Sequence, residues 1–143
     1  MKKLLLWIMS CLALTGCKKA PINSDIEGHW QLVEYTTRAD GVNHPCERIY
    51  YSIQLWVVEV AEKGGNQGLQ AFRGRYRYDE ATNKVYFTEM STYATPENSR
   101  PASPEELYPY GLNNVDTELE VLEKGRKNLV LQSDYATLYL KRF

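Results

Sequence analysis

From Ile26 to Phe143 the apolar residues fall in short runs at alternate positions, and no run repeats with the spacing of an amphipathic helix longer than a few residues. Alternation places successive side chains on opposite faces of an extended chain, so the pattern predicts an all-β domain. Strands are expected near Gly28 to Thr36, Ile49 to Val60, Leu69 to Tyr78, Lys84 to Met90, Thr117 to Glu123, Asn128 to Ser133 and Tyr135 to Arg142. Between them lie turn-forming clusters: 63–68 (KGGNQG), 79–83 (DEATN), 124–127 (KGRK) and Ser133-Asp134. Glycine supplies positive φ in such clusters, and Asn and Asp side chains bond their own backbone. Short connections imply antiparallel neighbours, since parallel strands need long crossovers. The expected architecture is an antiparallel up-and-down meander.

Each strand separates into two faces. Tyr51, Ile53, Leu55 and Val57 share one parity, as do Phe72, Gly74, Tyr76 and Tyr78, while Arg73, Arg75 and Arg77 alternate with the second set. A face bearing three arginines points to water. Leu119 and Val121, Leu129 and Leu131, and Leu138 and Leu140 continue the apolar face. The rhythm breaks over residues 92–116, which hold Pro96, Pro101, Pro104 and Pro109 and one candidate helical turn at Pro104 to Leu107. So long a proline-rich segment is either an irregular lid or a connection replacing part of a strand. Tyr108 and Tyr110 within it are candidates to cover one end of the core.

The amino terminus obeys different rules. Met1-Lys2-Lys3 precedes an apolar run from Leu4 to Leu14, which is shorter than the roughly 20 residues needed to span a bilayer core. A basic start followed by a short apolar run is the pattern of a secretory signal peptide. It ends in Leu14-Thr15-Gly16-Cys17, which closely resembles the lipobox of bacterial lipoproteins. That resemblance implies removal of residues 1–16, diacylation of Cys17 as the mature amino terminus, a lipidated tether over 17–25 and a folded domain over 26–143. It also implies membrane attachment through the diacylglyceryl cysteine. Lys18 stands where an inner-membrane retention signal has aspartate, which favours the outer membrane, with its periplasmic and surface faces both open.

Removing residues 1–16 from 143 leaves 127, enough for one domain with one modest core. The departing Lys2 and Lys3 leave 15 basic against 18 acidic residues, a balance that does not suggest nucleic acid. Cys11 leaves with the signal and Cys17 is acylated, so Cys46 has no internal disulfide partner. Packing must hold the domain together, and Cys46 reads as a small apolar residue.

Gly28-His29-Trp30 opens the first strand, and Lys141-Arg142 closes the last. This arrangement resembles the lipocalin and calycin superfamily, in which a G-x-W motif on the first strand meets an arginine at the end of the final one. The resemblance implies a lipocalin-like barrel of about eight strands, with the Arg142 guanidinium over the Trp30 indole as a structural plug. Seven strands are legible, and the eighth is expected within 92–116. The alternative is an ordinary core tryptophan in a β-sandwich or another small meander.

Candidate chemistry is sparse. His44 and Cys46 offer two metal ligands where a catalytic zinc site needs three and a structural one four. No G-x-S-x-G, P-loop or H-E-x-x-H motif occurs, and no cofactor motif is recognised. The expectation is therefore a non-enzyme without metal or cofactor. Two functions follow. In the first, the barrel binds a small apolar or amphipathic ligand against Tyr51, Ile53, Leu55, Phe72, Tyr76, Tyr78 and Leu138, with Gly74 either supplying room or marking a bend of the barrel wall. In the second, the same side chains fill the lumen, and the domain is an accessory module contacting another envelope protein through residues 92–116 or the arginine row.

Overall fold

The computed structural model describes residues 25–92 and 95–143. Among these, nine strands form one antiparallel sheet: β1 Gly28–Thr37, β2 Asn43–Pro45, β3 Ile49–Gln54, β4 Val57–Glu62, β5 Phe72–Asp79, β6 Lys84–Thr92, β7 Thr117–Lys124, β8 Asn128–Gln132 and β9 Ala136–Arg142. The order is β2-β1-β3-β4-β5-β6-β7-β8-β9, and β1 also pairs with β9. That last pairing, Trp30 opposite Arg142 through Thr37 opposite Ala136, closes β1 and β3 to β9 into an eight-stranded barrel. Closure removes the unpaired edges that an open meander would expose. The short β2 lies outside the ring, paired only to β1 through Glu34 to Thr36.

The eighth barrel strand does not come from residues 92–116. The expected strand from Ile49 to Val60 is instead two strands, β3 and β4, joined by a tight turn at Leu55 and Trp56. Leu55 there has a φ of +53°, a left-handed conformation that turns the chain without any Gly, Asn or Pro to announce it. The turn also resets the parity. Tyr51 and Ile53 point inward and Val58 and Val60 follow them, while Leu55 and Val57 lie outside, 51% and 42% exposed. The face assigned to Leu55 and Val57 from alternation is therefore corrected: parity persists only while the strand does.

Three β-bulges shape the wall: in β1 between Leu32 and Glu34, between β5 and β6 beside Arg73 and Arg75, and between β7 and β8 at Val121 and Glu123. Gly74 sits at the second. A Cβ there would stand 2.5 Å from both the Met90 sulfur and the Thr88 carbonyl oxygen. Of the two readings of Gly74, the bend of the wall is the one observed, and the close approach there leaves no space for a guest.

Strand direction gives the barrel two unlike ends. Gly28, the β3–β4 turn, the β5–β6 turn, the β7–β8 turn and Phe143 gather at one, the closed end. The longer connections gather at the other, and residues between β6 and β7 cover it. Helix α1, Pro104–Leu107, begins in a capping box in which the Ser103 backbone N–H donates to the Glu106 carboxylate at 3.1 Å. A 3-10 turn at Tyr108–Tyr110 follows, ending at Gly111 with φ +75°. Of the two readings of the proline-rich segment, the lid is the one observed. An isolated bridge between Ser91 and Pro101 stitches it to β6.

Candidate functional site

The lumen is the site toward which the sequence pointed, and it is packed with the chain's own side chains. Trp30, Leu32, Tyr51, Ile53, Val58, Val60, Phe72, Val85, Phe87, Leu107, Tyr110, Leu119, Leu129, Leu131 and Leu138 have no accessible surface, so no water-sized space borders any of them. Each apolar side chain so buried contributes roughly 1.5–3 kcal/mol. The lid supplies the plug at the open end. Tyr110 drops into the barrel, where its ring meets Phe72 edge-on at 6.1 Å and its hydroxyl donates to the Gln70 carbonyl at 2.6 Å. Tyr51 reaches up from the wall and donates its hydroxyl to the Tyr110 carbonyl. Leu107 and Leu112 flank it, both buried. Desolvation raises the Tyr51 phenol well above its ordinary pKa and pushes Tyr110 up to about 12, so both stay neutral donors.

Of the residues assigned to a ligand wall, Tyr51, Ile53, Phe72, Tyr76 and Leu138 face the lumen. Tyr78 is half-buried at the closed-end rim, donating to the Asn83 side-chain oxygen at 2.7 Å and accepting from Lys124 Nζ at 3.1 Å. Leu55 faces solvent and is removed from that wall. Of the two tyrosines expected to cover one end of the core, Tyr110 does so while Tyr108 stays exposed, and alternation missed Leu107 and Leu112 because they sit on irregular backbone where parity carries no information.

At the closed end the Arg142 guanidinium lies 4.2 Å from the centroid of the Trp30 ring. Its Nε donates to the Arg126 carbonyl at 2.7 Å and one terminal nitrogen to the Glu27 carbonyl at 3.2 Å. The indole N–H donates to the Ile26 carbonyl at 2.8 Å. Gly28 is the one residue that fits beside this stack, since a Cβ there would collide with the guanidinium. Nearby, the Tyr76 hydroxyl and the Glu27 Oε2 are buried without hydrogen-bond partners, the two such side-chain atoms among the described residues. Burial, reinforced by the Glu27 charge, raises the Tyr76 phenol far above its usual range.

His44 stacks on Tyr35 at 4.6 Å, and its Nε2 lies 3.1 Å from the Thr37 hydroxyl, which donates to Asp40. The histidine is thereby engaged in holding the β1–β2 turn. Burial and the Glu34 charge push the Cys46 thiol up to about 11, away from nucleophilic or ligating use. Among the described residues, no group of three or more His, Cys, Asp and Glu side chains converges as a metal site would require. The arginine row is exposed but engaged: Arg75 pairs with Glu89 at 2.6 Å, and Arg77 lies 4.1 Å over the Tyr86 ring. The lipobox and Cys17 lie outside the described residues.

Comparison with known proteins agrees with this architecture. The chain is similar in fold to a lipocalin-like protein from Bacteroides uniformis ATCC 8492, with a TM-score of 0.62, 21% identity, and coverage of 83% of this chain and 99% of that one. It is also similar to a protein from Bacteroides eggerthii DSM 20697, with a TM-score of 0.60, 17% identity, and coverage of 82% and 98%. No curated protein matches the chain. A family model for the lipocalin-like domain matches residues 12–143, so the chain belongs to the lipocalin-like domain family.

Proposed function

We propose that the protein is a non-catalytic envelope lipoprotein, acylated at Cys17 and delivered to the outer membrane, whose filled barrel serves as a rigid body that contacts another envelope protein through its surface. The observation that carries this reading is the packed lumen: Tyr110 and its lid neighbours occupy the volume that a guest would need. The lid end also offers a contact surface. Tyr108 is 40% exposed and stacked on Tyr135 at 5.6 Å, presenting a paired aromatic face of the kind enriched at interfaces. Acylation is tested by metabolic palmitate labelling, expected in the native chain and absent in Cys17→Ser.

A second reading, a barrel that takes a small apolar or amphipathic ligand, draws on the lipocalin-like fold and on the unpartnered Tyr76 hydroxyl, a polar group able to orient a guest. Native mass spectrometry of the mature chain from an envelope-producing host separates the two. A bare mass with no uptake of apolar dyes supports the filled module. A stoichiometric adduct, lost on Phe72→Trp, transfers the conclusion to ligand carriage.

A further inference from the structure

Exposed large apolar side chains are unevenly distributed over the barrel. The four most exposed among the described residues are Phe143 at 80%, Trp56 at 70%, Leu55 at 51% and Leu122 at 50%, and all four lie at the closed end. Asp25, where the described chain begins, leaves from that same end. Seven residues, Lys18 to Ser24, separate it from the acylation site, eight Cα-to-Cα steps with a reach of at most about 28 Å when fully extended. A tether to an acyl anchor at Cys17 therefore starts from this end of the barrel, opposite the lid.

The tip of the β3–β4 turn is costly to build as it is. Leu55 holds a φ of +53°, where a bulky side chain is strained and where Gly or Asn is at ease. It also leaves its side chain in water beside Trp56. An apolar side chain placed at both conformational and solvation cost is what a surface buried on docking would carry. Tryptophan is the side chain best suited to the headgroup level of a bilayer, with its ring in the apolar boundary and its N–H among polar groups.

We infer that the closed end is a membrane-docking face, with Leu55 and Trp56 inserting at the headgroup boundary of the bilayer that holds the anchor. The inference rests on the reading that Cys17 tethers the chain to that bilayer. Charges at this end are mixed, with Arg126, Lys127 and Lys141 set against Asp25, Glu80 and Glu123, so apolar insertion rather than charge carries the contact. Docking at the closed end turns the lid and Tyr108 away from the membrane.

The test replaces the acyl group by a different tether. The chain from Lys18 onward, bearing an N-terminal hexahistidine, is bound to phosphatidylethanolamine/phosphatidylglycerol vesicles containing a nickel-chelating lipid. Trp30 is fully buried and Trp7 lies before the start, so any change in emission reports Trp56. The expected result is a blue shift and quenching by brominated acyl chains, both surviving high salt and both lost in Trp56→Phe. Without the nickel lipid, Leu55→Asn is expected to weaken vesicle partitioning roughly ten-fold while leaving thermal stability equal or higher, which separates docking from folding. Trp56 emission on the tethered vesicles identical to that in buffer overturns docking. Failed palmitate labelling at Cys17 together with quenched Trp56 overturns the anchor and keeps the docking face.

Discussion

The Arg142 guanidinium stacks over the indole of Trp30 while donating to the carbonyls of Arg126 and Glu27, so one side chain ties the last strand to the first and to the β7–β8 turn. Its removal loses a cation–π contact and leaves two backbone acceptors without their donor. Arg142→Ala should lower unfolding stability by about 1–3 kcal/mol in urea titration, with Arg142→Lys recovering only part because a single ammonium cannot stack and reach both carbonyls.

Tyr110 fills the mouth of the barrel and is held from both sides, donating to Gln70 and accepting from Tyr51 through its carbonyl. Tyr110→Ala should cost about 3–5 kcal/mol, as for other buried aromatic truncations, and should open a cavity at the mouth of the barrel. An apolar dye taken up by the variant and refused by the native protein would establish that the lid alone closes the lumen. Equal uptake by both would show that ligands enter with Tyr110 in place.

The Tyr76 hydroxyl is buried without a partner, an arrangement that costs about 1–3 kcal/mol of lost hydration. Tyr76→Phe keeps the ring and discards the unpaired group. Thermal unfolding should therefore show equal or greater stability, by up to about 1 kcal/mol. A clear loss of stability would mean that a water or a guest satisfies this hydroxyl.

The lid carries an acid-sensitive clasp. Arg100 donates to both oxygens of Glu106, at 2.7 and 2.9 Å, and this contact leads the interactions that lower the Glu106 pKa from 4.5 to about 2. A carboxylate with its pKa depressed on folding contributes stability that is complete above the unfolded value and is lost as pH falls through the folded one. The contribution should therefore decline between about 4.5 and about 2. Amide protection factors in residues 100–107, exchange measured against the intrinsic rate at the same pH, are expected to fall over that window in the native chain. In Glu106→Gln the lid amides should exchange faster at neutral pH, and the acid-dependent step should vanish.

The local rules legible in individual residues were of one kind. Alternation in Phe72 to Tyr78 put the three arginines outside and Phe72 and Tyr76 inside, because the pleat forces neighbours to opposite faces wherever a strand runs unbroken. The same rule failed one strand earlier. Nothing in the composition of Leu55-Trp56 resembles a turn, and only the need to bring Val58 and Val60 back over Tyr51 and Ile53 holds Leu55 at positive φ. Barrel closure, not residue preference, decides that turn.

The chain's own order of residues thus settles that the domain is antiparallel and all-β, and it sets Trp30 and Arg142 at the two strand ends that meet. These are consequences of period and parity, which are local. Whether the barrel is hollow or full is a sum over volumes contributed from distant positions, including a tyrosine on a proline-rich segment with no parity to read. So is the gathering of Trp56, Leu55, Leu122 and Phe143 at one end, since residues far apart along the chain share an end of the barrel only once the strands are in register. The tertiary structure decides both, because volume and surface belong to the closed barrel and not to any single strand.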